Sequence, residues 1–216
     1  MRRMAFLSIL VMATLAVPVA GQTSKAAPGS EISLPAPDTA GGMTLNQALA
    51  TRRSVRAFTE QPLTEGQVSQ LLWAAQGITS PRGQRTAPSA HAQYFLHVYV
   101  ARAGGFYEYL PAGHKLKLVS TADLRAKLTS DKAPEVFLIA GDYARAEAKF
   151  PAAQADRFVN LEAGHAAQNL VLEATSLGLS GVTVGGLNPK EAAETAGLPE
   201  GILPMYAIPV GHAAKQ

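Results

Sequence analysis

The sequence predicts a single α+β domain that follows an N-terminal export signal. Predicted helices and strands alternate without the regular spacing of βαβ units, which argues against a doubly wound parallel sheet. No internal repeat is present in the sequence, which argues against a solenoid or a propeller. One predicted helix is apolar on more than one face, as expected of a helix that is buried on several sides.

The composition excludes several classes of protein. The chain has 216 residues, of which 47% are hydrophobic and 16% are charged, and this length suffices to bury a core without disulfides or metals. Its formal net charge of +3 comes without a basic run or stripe, so we expect no nucleic-acid binding. The sequence contains no cysteine, which excludes disulfides, thiolate metal sites and a cysteine nucleophile.

Residues 1–21 are predicted to be a secretory signal peptide. Arg2 and Arg3 precede an apolar run over residues 4–17, and small residues follow up to Gly21. This run is shorter than the roughly 20 apolar residues that a membrane-spanning helix requires. We therefore expect an exported protein, periplasmic or secreted, without a stable membrane anchor after signal cleavage. A retained anchor is the alternative interpretation.

Residues 22–42 are predicted to be a linker, because proline, glycine and serine interrupt every periodic pattern there. The folded domain is accordingly predicted to comprise residues 43–216 and to begin at Thr44.

Two helices are predicted at the start of this domain. Thr44 is a candidate N-cap for a helix that runs to about Arg53, with an apolar face formed by Leu45, Ala48 and Leu49. Thr64 lies three residues before Gln67, which is the spacing of a capping box, and Gly77 is expected to end this second helix.

Further strands and helices are predicted along the rest of the chain. β-Branched, aromatic and other apolar residues indicate strands over residues 93–101, 135–140, 182–184 and 206–210. Shorter helices are predicted over residues 123–128 and 189–196. The longest helix is predicted from about Asp156 to Leu177 and is ended by Gly178. Because its apolar residues spread over more than one face, we expect it to pack against a partner subunit as well as its own sheet.

The most informative motif is a basic segment at the end of the first predicted helix. Arg52, Arg53 and Arg56 lie within five residues and flank the hydroxyl of Ser54. Arginine presents a planar fork of donors that matches phosphate or carboxylate oxygens. If the chain turns here, Arg52, Ser54 and Arg56 could converge on one anion. A solvated basic helix end, stabilised by the helix dipole, is an equally good interpretation from these residues alone.

Two further segments are candidates for the same site. Gly185 and Gly186 follow a predicted strand, and glycine lets a backbone approach a flat ligand closely. Lys215 lies just past the last predicted strand, where it could reach a phosphate. The alternatives are an ordinary turn at Gly185–Gly186 and a solvated chain end at Lys215.

Other motifs are missing from the sequence. It lacks G-x-G-x-x-G, G-x-x-x-x-G-K-[ST] and G-x-S-x-G, so the main signals of a dinucleotide fold, a P-loop enzyme and an α/β-hydrolase are absent. Glu162 and His165 have the spacing of a di-iron bundle pair, but no second pair exists and no metal site is expected. We interpret both residues as buried, hydrogen-bonded packing residues of the longest helix.

Together these segments resemble the FMN-dependent nitroreductase superfamily, and within it the branch that includes azoline dehydrogenases of peptide-tailoring clusters. The resemblance covers residues 43–215. Residues 52–56 resemble the Arg-x-Ser-x-Arg/Lys element that holds the FMN phosphate and ribityl chain. Residues 162–169 resemble the core dimer helix and are the most specific match.

Two segments carry the resemblance to the branch. Residues 85–90 resemble an Arg-x-x-Pro-Ser-x-Gly element in which Pro88 and Ser89 would touch a flavin, often that of the other subunit. His91 stands at the place of the glycine of this element. Residues 105–111 resemble a Gly-x-Tyr-x-Tyr hairpin. Its aromatic residues, together with His114, would either line the substrate entrance or pack as an ordinary hairpin.

The resemblance implies a nitroreductase-like fold, in which a central, mainly antiparallel sheet is flanked by helices and two subunits form an intertwined homodimer with FMN at the interface. Gly185 and Gly186 would lie beside the flavin ring. The implied cofactor-binding residues are Arg52, Arg53, Ser54, Arg56, Pro88, Ser89, Gly185, Gly186 and Lys215. No acid–base side chain is assigned to catalysis.

The implied function is two-electron oxidoreduction of a small organic or peptide-derived substrate through bound FMN. Because the predicted export would place the protein where soluble nicotinamide cofactors are scarce, we expect a physiological reductant other than free NAD(P)H. The alternative hypothesis is a non-catalytic flavin-binding or partner-binding protein on the same fold.

Overall fold

The structure is a computed structural model that describes residues 27–215. The predicted signal peptide and the first residues of the predicted linker lie outside the described residues. Within them, seven strands form one sheet: β1 (Glu31–Ser33), β2 (Leu96–Arg102), β3 (Gly105–Leu110), β4 (Lys115–Ser120), β5 (Glu135–Asp142), β6 (Ser180–Gly181) and β7 (Ile202–Gly211). The strand order is β1-β4-β3-β2-β5-β7-β6, and all neighbouring pairs are antiparallel. The predicted α+β fold with a mainly antiparallel sheet is therefore confirmed.

The helices of the described residues are α1 (Leu45–Thr51), α2 (Glu65–Gln76), α3 (Arg125–Leu128), α4 (Tyr143–Glu147), α5 (Ala152–Ser176) and α6 (Pro189–Ala196). Capping boxes start α1 and α2, at Thr44 and Thr64, with a glutamine side chain completing each box. Asn188 caps α6, and Gly197 ends it with a φ of 64°. These local signals explain why the predicted ends of α2 and α6 agree with the structure.

Helices cover both faces of the sheet. On one face, α2 and α5 pack over a core that contains Leu71, Phe95, Phe137, Ile139 and Leu170. On the other face, α3 and α6 cover a smaller core that contains Phe106, Leu138 and Ala207. The sheet is thus enclosed near its centre, whereas the segments before α2 and after β7 lie at its margin.

The start of the fold differs from the prediction. Residues 31–33, predicted as part of a linker, form the edge strand β1 and pair with β4. Two hydrogen bonds with the backbone of Asp38, accepted and donated by the Gln70 side chain, hold the following segment to α2. All three residues of β1 are exposed, so this short strand has no alternation of apolar residues that would have predicted it.

The strand predicted over residues 182–184 also differs from the strand that the structure shows. The strand β6 covers Ser180 and Gly181, and Val184 makes only an isolated bridge to Ala207 of β7. The chain leaves the sheet here and approaches Gly185 as an open loop.

Several apolar side chains are exposed on the helices. Only Ala48 of the predicted apolar face of α1 is buried, whereas Leu45 and Leu49 are exposed. On α5, which begins four residues earlier than predicted, Leu161 is 52% exposed. More than half of each of these three leucine side chains is therefore exposed within the described part of the chain. Among residues 27–215, no helix has both the length and the apolar character needed to span a membrane.

Candidate functional site

The basic segment directly follows α1. Arg52 is the C-cap residue of this helix, and its backbone N–H donates to Ala48 O at 2.9 Å. The Arg53 guanidinium donates to Ala50 O at 3.0 Å and to Arg52 O at 2.8 Å, so it satisfies carbonyl groups at the helix end. Arg56 is exposed, and within the described residues neither Arg52 nor Arg56 forms an ion pair.

Two distant parts of the chain hold this segment in place. Ser54 forms a parallel bridge with Gly181, and Val55 N donates to Gly181 O at 3.2 Å. On the other side, Ala214 N donates to Ala57 O at 3.0 Å. The backbone of the next residue, Lys215, therefore also lies beside the basic segment. The structure thus brings Arg52, Ser54, Arg56 and Lys215 into one neighbourhood.

An open cavity of about 280 Å³ lies between these segments. Its lining consists of Ser54, Val55, Arg56, Ala57, Ala213 and Ala214. Of these residues Arg56 carries a charge, and no carboxylate is present in the lining. Such a cavity favours an anion, because arginine donors and backbone groups face it without a competing acid.

Gly185 and Gly186 form an exposed stretch of backbone. Their N–H groups make no hydrogen bond within residues 27–215, so both donors are free for a ligand. A Cβ on Gly185 would lie 3.3 Å from Tyr206 Cε1, whereas a Cβ on Gly186 would meet nothing within 4 Å. The backbone at Gly185 therefore packs closely against the Tyr206 ring, whereas the space beside Gly186 is open.

A second cavity, of about 300 Å³, adjoins Gly185. Its lining, which has no ionisable acid or base apart from two tyrosines, consists of Tyr143, Asn160, Gly185, Leu187, Pro189, Leu203, Pro204, Met205 and Tyr206. Apart from Gly185, these lining residues are not predicted from the sequence to be site residues. No local motif marks them, because they come from four separate parts of the chain.

Pro88 and Ser89 lie elsewhere, against the middle of α5. The Ser89 hydroxyl donates to Glu162 Oε2 at 2.6 Å and accepts from Tyr94 N at 2.8 Å. Asn160 and Glu162 are two positions apart on α5, which corresponds to a rotation of about 200° around the helix axis. Their side chains therefore lie on nearly opposite sides of the helix. Because Asn160 lines the cavity at Gly185, Ser89 and Gly185 lie on different sides of a helix about 10 Å wide.

The segment after Ser89 has an unusual backbone. His91, Ala92 and Tyr94 have φ values of 51°, 54° and 53°, in the left-handed region that non-glycine residues seldom occupy. His91 stands at the glycine position of the Arg-x-x-Pro-Ser-x-Gly pattern, and its φ explains why glycine suits that position. Strain of this kind clusters at functional sites.

Glu162 is buried, as predicted, and 2% exposed. Its Oε2 also accepts from Phe95 N at 3.3 Å, whereas its Oε1 has no hydrogen-bond partner among the described residues. Burial raises the pKa of the Glu162 carboxyl, against the opposing hydrogen bonds of Ser89 and Phe95 and the charge of Arg85. His165, also predicted to be buried, is instead exposed within the described chain, because it lies on the outer side of α5 near Leu161.

The hairpin of β3 and β4 packs within the fold. Tyr107 and Tyr109 are buried. His114 contacts Tyr109 Oη at 2.8 Å, Ser69 Oγ at 2.6 Å and Pro35 O at 3.0 Å. Burial lowers the pKa of His114. Of the two interpretations of this hairpin, the structure supports the packed one. No group of three or more potential metal ligands occurs in the described part of the chain.

Comparison with known proteins identifies the family. The sequence profile of the Nitroreductase family matches residues 49–212. A nitroreductase-family protein of Methanocaldococcus jannaschii is 36% identical over 186 residues, which cover 78% of this chain and 90% of that protein. A crystal structure of a nitroreductase-family protein from Ralstonia eutropha has a TM-score of 0.82 and 34% identity, and the match covers 95% of this chain and 98% of that chain.

A third relative is a flavin enzyme by name. The NADPH-flavin oxidoreductase of Vibrio harveyi is 29% identical over 174 residues, and the match covers 77% of this chain and 64% of that enzyme. The profile match covers most of the chain, the archaeal relative is similar over nearly its whole length, and the fold agrees with that of the bacterial crystal structure. This chain therefore belongs to the nitroreductase family.

Proposed function

We propose that this protein is an FMN-dependent oxidoreductase that transfers two electrons between FMN and a small organic or peptide-derived substrate. One observation carries the proposal. Ser54 and Arg56 line an open cavity together with Ala213 and Ala214 from a distant part of the chain, and this lining contains no carboxylate. Arg52 and Lys215 lie within two residues of the two segments that line it. The family of the chain and the name of the Vibrio harveyi relative support the choice of a flavin.

The residues present fit FMN at both of its ends. The free donors of Arg52, Arg56 and Lys215 suit a phosphate, and Ser54 adds a neutral donor. The unpaired N–H groups of Gly185 and Gly186 suit the polar edge of a flat ring, to which they offer fixed donors without a side chain in the way.

The protein residues have separate tasks in this proposal. Bound FMN supplies the two-electron chemistry. The basic segment holds its phosphate, and the N–H groups of Gly185 and Gly186 stabilise negative charge at the ring edge. The adjoining cavity of about 300 Å³ has no charged side chain and so favours a neutral substrate. No described side chain is assigned a proton-transfer role.

The functional unit in this proposal is a homodimer. Within one chain, Ser89 cannot reach the ring site at Gly185, because α5 lies between them. The exposed side chains of Leu45, Leu49 and Leu161 supply an apolar surface that a second copy would cover. A second copy would also bring its own Pro88 and Ser89 to the open side of the site.

The test is flavin binding by paired variants. Arg52→Ala combined with Ser54→Ala removes two phosphate donors, and each charge-assisted contact contributes about 1.5–3 kcal/mol, so we expect flavin affinity to fall roughly a hundredfold or more. Lys127→Ala is the matched control. It removes an exposed cation from α3, which covers the face of the sheet opposite to α2 and α5. Flavin content that survives dialysis in the double variant would contradict the site assignment. A wild-type protein that binds flavin but exchanges electrons with no donor or acceptor would favour the non-catalytic alternative.

We also propose that the protein is exported and belongs to the azoline-dehydrogenase-like branch. Support comes from the sequence of residues 1–21 and from the patterns at residues 85–90 and 105–111. An exported enzyme would oxidise its substrate with oxygen or a quinone as acceptor, or would take electrons from a membrane donor. Cell fractionation of a tagged full-length protein, combined with anaerobic mixing with NADH and NADPH, tests this. Cytoplasmic retention with rapid NADPH oxidation would refute it.

A further inference from the structure

The buried carboxyl of Glu162 forms the centre of a hydrogen-bond network that includes Ser89 but none of the residues of the basic segment or the glycine pair. Its Oε2 accepts from the Ser89 hydroxyl at 2.6 Å and from Phe95 N at 3.3 Å. The Ser89 oxygen accepts in turn from Tyr94 N at 2.8 Å. The orientation of the Ser89 hydroxyl is therefore fixed, because its one proton is directed at Glu162 and an oxygen lone pair is directed at Tyr94.

Arg85 stabilises the same network from a neighbouring position. Its guanidinium lies 4.6 Å from the centre of the Tyr94 ring and donates to Gln76 Oε1 at 2.9 Å. Its backbone N–H donates to Tyr94 Oη at 3.2 Å. Arg85 is thus directed inward, and the strained loop from Ser89 to Tyr94 is held at both ends by contacts within the fold.

This network lies next to the surface that we assign to the second copy. Glu162 is flanked on α5 by the exposed Leu161 and, one turn further, by the exposed His165. Pro88 is exposed at the start of the same loop. A second copy packed on Leu161 would therefore meet the loop that Glu162 holds.

We propose that Glu162 is a positioning residue for the flavin site of the partner subunit. It fixes the Ser89 hydroxyl, and through it the Pro88–Ser89 backbone, in the position that covers the partner's flavin. This proposal rests on the proposed function, because it requires a flavin site that two subunits complete. Glu162 itself touches neither cofactor nor substrate in this proposal. From the core of its own subunit it acts through Ser89 on the flavin site of the partner subunit.

Single variants test the hydrogen bond first. Glu162→Leu removes the acceptor of Ser89, and we expect flavin affinity to fall about tenfold with an altered visible absorption or circular dichroism spectrum of the residual flavin. Glu162→Gln keeps an acceptor oxygen for Ser89 and should restore affinity to within about threefold of the wild type. Glu173→Leu, at a half-buried acid three turns further along α5, is the matched control and should leave both signals unchanged.

A mixed dimer tests the crossing of the interface. One differently tagged chain carries Arg52→Ala and Ser54→Ala, and its partner carries Glu162→Leu. If Glu162 serves the partner's site, one site of the mixed dimer combines all the defects and the other is intact, so half of the wild-type flavin binds with wild-type affinity. If Glu162 serves its own chain's site, both sites are defective and no tight binding remains, which would overturn the proposal.

The outcomes separate this inference from the proposed function. A wild-type protein that binds no FMN defeats the proposed function itself. Tight FMN binding that depends on Arg52 and Ser54, but has the wild-type affinity and spectrum in Glu162→Leu, defeats only the role of Glu162. Should Glu162→Leu fail to fold, Ser89→Ala in the same mixed dimer decides between the two arrangements, because it removes the hydroxyl and leaves the core carboxyl in place.

Discussion

The buried carboxyl of Glu135 makes the stability of this fold depend on pH. Glu135 lies at the start of β5, is 2% exposed, and has one carboxylate oxygen without a partner among the described residues. Burial raises the pKa of Glu135 to about 7, although Arg102, whose Nε lies 3.4 Å from Oε1, and Arg125 oppose the rise. Glu65, which also pairs with Arg102, adds to it.

The sign and size of the effect follow from this pKa. Between the ordinary value of 4.5 and about 7, the folded state holds a proton that the unfolded state has released, so the free energy of unfolding decreases as pH rises through this window. The difference between the two pKa values of Glu135 corresponds to roughly 3 kcal/mol, which is fully lost above pH 7. Glu135→Gln removes the ionisable group and should be more stable than the wild type at about pH 8, by up to this amount.

The assay is urea unfolding of both proteins at several pH values from about 5 to about 8. We expect the two stability curves to meet near pH 5 and to diverge steadily as pH rises. Glu65→Gln is the control, since it weakens a surface pair with Arg102, for which an effect of about 0–1 kcal/mol is expected. Parallel curves for Glu135→Gln and the wild type would refute the reasoning.

Three further predictions concern other parts of the fold. The hydrogen bond from His97 lowers the pKa of Glu108, so stability that is present at neutral pH is lost as pH falls, and Glu108→Gln should reduce this loss in acid unfolding experiments. Gly141→Ala would place a Cβ in steric overlap with Val159 Cγ1 of α5 and should destabilise the fold by about 1–3 kcal/mol in urea, whereas an unchanged unfolding midpoint would refute this expectation. His91→Gly relieves a φ of 51° at the cost of backbone entropy and of a tilted ring contact with Phe150, and should raise stability by about 0.5 kcal/mol in urea unfolding; a loss of stability would show that the ring contact outweighs the strain.

The sequence predicted elements whose signals are local. Thr64 and Gln67 lie within one turn and determine the start of α2, and Pro189 with Gly197 delimits α6. By contrast, β1 consists of three exposed residues whose pairing depends on β4, more than 80 residues away, so no local pattern marks it.

The candidate site was predicted in parts rather than as an arrangement. The basic motif and the glycine pair could be found because single residue types with special chemistry mark them. The pairing of Ser54 with Gly181 and the bond between Ser89 and Glu162 depend on folding of the whole chain, and neither can be derived from spacing. The structure also assigns Arg53 to the end of α1, a task that differs from that of its neighbours although all three are arginines.

The pairing of Ala57 with Ala214 makes the anion cavity a product of long-range folding. The two strips of backbone that line the cavity are separated by more than 150 residues, so each lacks its opposite wall until the sheet between them has folded. None of the residues that line the cavity belongs to the two hydrophobic cores. A change that weakens this pairing would therefore disrupt the cavity while leaving the hydrophobic cores in place.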